Sequence, residues 1–161
     1  MSVAGVGWLV SGAGLLGAVA MLVNATHSDR TGERRWHVAG PFLLVALMFL
    51  ASGLLRTPWV VAGALTVVYV CLAGLQTPLL AISASFLKGK SMAAGAAMIN
   101  MVSMTGGFLG PWAMGVAKDH TGDYRVGLVA LVVPCLVGAA VVLTLRVKER
   151  ASVFVGVVAE S

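Results

Sequence analysis

Charge is scarce in this chain. Asp, Glu, Lys and Arg make up 11% of its 161 residues, while 59% are hydrophobic. A soluble domain usually carries about 25% charged residues, and this composition excludes one. Its long apolar runs contain no internal Asp, Glu, Lys, Arg or His. Proton coupling needs a titratable relay at membrane depth, and binding an organic anion there usually needs a cation, so both must come from outside these residues. Cysteine is nearly absent too. Cys71 and Cys135 both fall in apolar runs, make no disulfide framework or metal spacing, and read as small hydrophobes. There is no GxSxG, no Walker loop, no His-based triad and no intramembrane carboxylate pair, hence no catalytic constellation. The stretch GAGLLGAVA follows no strand and is not a nucleotide loop, so no cofactor is expected. The net charge of +5 comes without a basic stripe interleaved with aromatics, which argues against a nucleic-acid partner. The N-terminus also lacks the charged region and cleavage site of a signal peptide.

What is present is hydrophobic length. Five spans can be drawn, at about 3–24, 37–56, 58–87, 91–117 and 126–146. Each is too long and too continuously apolar for a barrel strand, so each satisfies its own backbone as a helix. The expected fold is an all-α polytopic membrane protein, a five-helix transmembrane domain over 1–146 with a cytoplasmic tail at 147–161. The third span, at about 30 residues and 1.5 Å each, is roughly 45 Å long and must tilt, protrude or bend, with Pro78 as the natural bend. Alternate connections share a side. One side collects Arg30, Arg34, Arg35, Lys88, Lys90, Arg146, Lys148 and Arg150, and the other Arg56, Lys118 and Arg125. The positive-inside rule places the first set in the cytoplasm, with the N-terminus outside. An odd number of crossings from an outside N-terminus suggests a piece of something larger.

The charge that exists is gathered. Asp29 to Arg35 hold five of the 17 charged residues, within HSDRTGERRWH at 27–37. Gly32 suits a reversing turn. Asp29 can receive N–H groups at a helix start or pair with an arginine. Arg30, Arg34 and Arg35 can hold anionic lipid, carboxylates or helix C-termini. His27 and His37, ten residues apart, have no ligand logic for a metal, and no acidic or thiol cluster completes one. Small residues are the other abundance. Gly106 and Gly110 form a small-xxx-small pair beside Gly107 and Pro111, and Gly14 and Ala18 form another. They serve close helix packing or, in GGFLGP, a helix that bends as a gate.

The order of these residues resembles a known family. SDRTGERR is similar to the signature loop of major facilitator superfamily transporters, and its extension to HSDRTGERRWH resembles the anion:cation symporter branch, the phthalate, tartrate and sugar-acid permeases. A second block, GKSMAAGAAMINMVSMTGGFLGPWAMGVAKDHTGDYRVGL from Gly89, is similar to the eleventh helix of that branch. The resemblance covers roughly 3–146 and implies that the five spans are helices eight to twelve of a twelve-helix transporter in the cell's inner membrane. It implies a small organic anion as substrate, a coupling proton, the lipid bilayer as surroundings and a missing N-terminal half as partner. Residues 27–37 would then be a conformational latch docking on that half. The chain departs from the family pattern at Asn24, where a glycine is usual, at Leu80, in a tryptophan slot, and at Met104, where a second asparagine is often found.

Polar residues within spans are functional candidates because burying them is costly. Thr66, Tyr69, Gln76 and Ser83 recur at helical spacing as one stripe that can line a cavity. Asn100 and Ser103 share a face with Gly107 and Gly110. Asn100 coincides with the family's asparagine and is the leading candidate for a substrate hydrogen bond. Bonds between helices would use Asn100 and Gln76 equally well, and hydroxyls can bond the carbonyl four residues back. Two rival functions remain, a non-transporting remnant and a small accessory subunit of the membrane.

Overall fold

A computed structural model describes residues 3–55, 57–86 and 91–145. Its elements are α1 (Val3–Thr31), α2 (Arg34–Leu54), α3 (Pro58–Phe86), α4 (Ser91–Thr121), α5 (Arg125–Ala130) and α6 (Val132–Thr144). Counting α5 and α6 as one crossing over Arg125–Thr144, five helical segments are long and apolar enough to span a membrane. Arg56, the 87–90 connection with Lys88 and Lys90, and the 147–161 tail lie outside the described residues.

Element boundaries differ from the hydropathy spans for physical reasons. α1 does not stop near residue 24 but continues through the charged block to Thr31. Its 29 residues make a rod of about 44 Å, well beyond a hydrocarbon core of about 30 Å. The last two turns therefore stand in water, where charge carries no desolvation cost. The chain reverses at Gly32, whose φ of +72° suits a residue without a Cβ. The Gly32 N–H closes the helix on the Ser28 carbonyl at 3.0 Å. The fifth span breaks at Leu131. Pro134, in the first turn of α6, lacks an N–H and crowds the carbonyl four residues back, that of Ala130.

Packing centres on α2 and α3. α3 lies against both α1 and α2, and α2 also packs on α5 and α6. One apolar cluster joins Val45 and Ala46 of α2 to Val68 of α3 and Cys135 of α6, and a second joins Val38, Ile82 and Val142 of the same three helices. Phe42 touches both. The α1–α3 crossing is close because it uses glycine. A Cβ added at Gly17 would lie 3.1 Å from the Ala73 Cβ, and one at Gly74 would lie 3.5 Å from the Ala20 Cβ. By contrast, an added Cβ at Gly14 meets nothing within 4 Å, so among the described residues Gly14 and Ala18 do not form the contact that their spacing suggested. α4 stands apart, touching α5 and a short stretch of α3, and none of its described side chains is buried.

Three helices are tied by one amide. Pro41 and Pro78 lie inside α2 and α3, and each removes the N–H that would bond a carbonyl four residues earlier. Those carbonyls belong to His37 and Gly74. Asn24 Nδ2 of α1 donates to both, at 2.9 Å each. A primary amide has two N–H groups, and here both go to carbonyls left open by prolines of two different helices.

Candidate functional site

The charged turn is built from the water-exposed end of α1 and the start of α2. Arg34 Nη2 lies 3.3 Å from Asp29 Oδ1, a pair exposed enough to contribute little. Arg35 reaches further. Its Nη1 donates to the Leu145 carbonyl at 3.2 Å, at the C-terminal cap of α6, where unpaired carbonyls concentrate negative charge. Arg30 makes no ion pair among the described residues. The Ser28 hydroxyl, 1% exposed, is buried without a partner. We expect Arg35→Gln to weaken the bundle by about 1 kcal/mol in an SDS unfolding titration, and Arg34→Gln by less than about 0.5 kcal/mol. Equal effects would show that the α6 contact carries no weight.

Two residues of this turn meet in a way that sequence spacing hid. His27 Nδ1 lies 2.6 Å from His37 Nε2, and His37 Nδ1 lies 2.6 Å from the Glu33 carbonyl oxygen. Ten residues separate the histidines along the chain, but the helix-turn-helix brings a nitrogen of one ring against a nitrogen of the other. Asn24 was visible only as a departure from a glycine pattern. The signal that could have found it is the pair of prolines, each four residues after one of its acceptors.

The polar residues of the spans do not converge among the described residues. Tyr69 and Thr66 line a cavity of about 320 Å³ between α1 and α3, with Val6, Leu9, Val10, Ala13, Ala62 and Leu65. The Thr66 hydroxyl donates to the Ala62 carbonyl at 2.9 Å and that of Ser83 to Leu79 at 2.9 Å. Gln76 is exposed on α3. Asn100 and Ser103 sit on α4, both exposed. Ser103 donates back to Ile99 at 2.8 Å, whereas the Asn100 amide has no partner among the described residues. Gly106, Gly107 and Gly110 have open space where a Cβ would be, and Pro111 continues within the helix. No group of three or more metal-ligating side chains forms among the described residues.

Comparison with known proteins places this arrangement. The sequence model of the Major Facilitator Superfamily matches residues 1–157. A candidate tartrate transporter of Agrobacterium vitis is 39% identical over 87% of this chain and 31% of its own length. A quinolone resistance transporter of Acinetobacter baumannii is 34% identical over 83% of the chain and 31% of its own length. The inner membrane transport protein RhmT of Escherichia coli is 31% identical over 76% of the chain and 28% of its own length. The chain thus spans about a third of the curated relatives it matches. No solved structure matches it significantly.

Proposed function

Because the chain belongs to the major facilitator superfamily, we propose that it forms the C-terminal five helices of a larger permease that carries a small organic anion by proton symport. The superfamily's two halves rock about a midplane site, and the missing N-terminal half would supply the titratable relay and the cation that these spans lack. The tartrate transporter name of one relative supports a carboxylate substrate. The distribution of Lys and Arg supports an inner-membrane protein with a cytoplasmic C-terminus.

The observation that carries the reading is Asn100, an amide within the fourth apolar span that no described residue satisfies, on a helix none of whose described side chains is buried. Such a group calls for a partner, and a substrate carboxylate or hydroxyl would accept from it. Ser103 shares its helix, and Tyr69 and Gln76 would contribute from α3. Gly106, Gly107, Gly110 and Pro111 would let α4 approach and shift against the N-terminal half. Asp29, Arg30, Gly32, Arg34 and Arg35 would form the latch at the cytoplasmic face, with Arg30 left to reach across.

In the full-length permease, Asn100→Ala should raise the KM for uptake roughly tenfold, the worth of one hydrogen bond to a charged group, at unchanged expression. Unchanged KM and rate would reduce Asn100 to a packing role. Vesicles that contain this chain alone should take up no organic acid above a protein-free control.

A further inference from the structure

Transport as proposed above does not use the two imidazoles at the α1–α2 turn. His27 Nδ1 faces His37 Nε2 across 2.6 Å, with ring centroids 4.9 Å apart and planes tilted by 45°. The far nitrogen of His37, Nδ1, meets the Glu33 carbonyl at 2.6 Å. A carbonyl can only accept, so His37 Nδ1 carries a proton. In neutral His37 the facing Nε2 is then a bare lone pair, and His27 Nδ1 must be the donor. The backbone of Glu33 thereby fixes the proton arrangement of the whole pair.

This arrangement treats a first and a second added proton differently. The first goes to the remaining nitrogen of His27, Nε2. It leaves the bond between the rings in place and makes it charge-assisted, hence stronger. For the second, only His37 Nε2 remains. It would set N–H against N–H and cation against cation where a 2.6 Å bond stood, and the bond must break. The ionisable groups around the pair are Asp29, Arg30, Glu33, Arg34 and Arg35 of its own two helices and turn. Asp29 is engaged by Arg34, and arginines outnumber carboxylates. α3 and α6, which also meet this end of the bundle through Gly74 and Leu145, carry no acidic or basic side chain among the described residues, and their titratable groups are Tyr69, Cys71 and Cys135. Among the described residues, Glu33 is the acid of this turn without an ion pair, and one carboxylate does not balance two imidazolium charges beside three arginines.

We propose that His27 and His37 form a proton-responsive clasp, which holds the ends of α1 and α2 together while the pair carries at most one added proton and releases them when it takes up a second. Histidine is the side chain whose charge ordinarily changes between about pH 5 and 8. The His37 carbonyl also holds one arm of the Asn24 amide, so release acts directly on the tie among three helices. The clasp does not depend on the substrate proposed above.

The test uses the whole permease in lipid nanodiscs with 15N-labelled histidine. A nitrogen–nitrogen coupling through the hydrogen bond between the two rings should be present at about pH 7.5 and should disappear once acidification has put a proton on all four ring nitrogens, a state that the nitrogen shifts themselves report. Spin labels on Thr26→Cys and Trp36→Cys, both exposed positions on the two helices, should move apart over the same interval. In His27→Gln the carboxamide can donate to neutral His37 or turn and accept from the protonated ring, so the label distance should no longer respond to pH. Absence of the coupling at pH 7.5, an unchanged label distance once all four ring nitrogens carry protons, or an unchanged acid response in His27→Gln would each overturn the clasp.

Discussion

Replacing Asn24 by leucine should destabilise the helix bundle by about 2 kcal/mol, and removing two prolines should largely cancel that cost. The amide donates to the carbonyls of His37 and Gly74 at 2.9 Å. Neither carbonyl has its ordinary helical donor, because residues 41 and 78 are proline. Hydrogen bonds between membrane helices average only about 0.6 kcal/mol, since the separated helices find other partners. These two acceptors are different, because within their own helices nothing can replace the lost donor, and an unsatisfied buried carbonyl costs about 1–3 kcal/mol. Pro41→Ala with Pro78→Ala restores a backbone N–H opposite each carbonyl. On that background Asn24→Leu should cost less than half as much, a coupling of about 1 kcal/mol that SDS unfolding of the four variants would measure. If Asn24→Leu costs the same with and without the prolines, the amide is an ordinary packing residue and the explanation fails.

The same residue shows what the sequence could and could not convey. Five membrane-spanning helices are legible because their apolar runs exceed what any other secondary structure can use in lipid. The turn at Gly32 is legible because only a few residue types accept positive φ. Charge at 27–31 reads in the sequence as the end of a helix, yet α1 runs on through it to Thr31. Hydropathy reports solvent, and a helix can cross from lipid into water without interruption. Pro134 carries its own local signal for the break at Leu131, but a proline in a first turn is also a common helix start, so it leaves both outcomes open. Asn24, His27 and His37 matter through partners that only the packing of α1, α2 and α3 brings near, and no local pattern encodes that packing. The candidate site residues suffer from the same limit more severely. Asn100 and Ser103 lie on α4, whose faces meet almost nothing among the described residues, so their role rests on what the rest of a permease would bring.

Glycine spacing leads to the second large effect. Small-xxx-small patterns recur in α1, and spacing alone selects Gly14 with Ala18 as readily as any other pair. The structure puts Gly17 at the crossing. A Cβ there would lie 3.1 Å from the Ala73 Cβ and 3.3 Å from Tyr69 Cε1, whereas one at Gly14 has open space. Gly17→Leu must force α1 away from α3 or bend both out of their rotamers, and overpacking of this kind costs about 1–3 kcal/mol. Gly14→Leu should change stability by less than about 0.5 kcal/mol, its side chain simply joining the many exposed apolar groups of α1, Leu15 and Leu16 among them. The contrast extends to transport. Tyr69 and Ala13 line the α1–α3 cavity, so even Gly17→Ala, by pressing on the tyrosine ring, should alter substrate affinity in the full-length permease if Tyr69 contributes to binding, while Gly14→Ala should not. Equal losses of stability for the two leucine variants would mean that α1 presents a different face to α3. A stability difference without a difference in affinity would keep the crossing and remove Tyr69 from the substrate site.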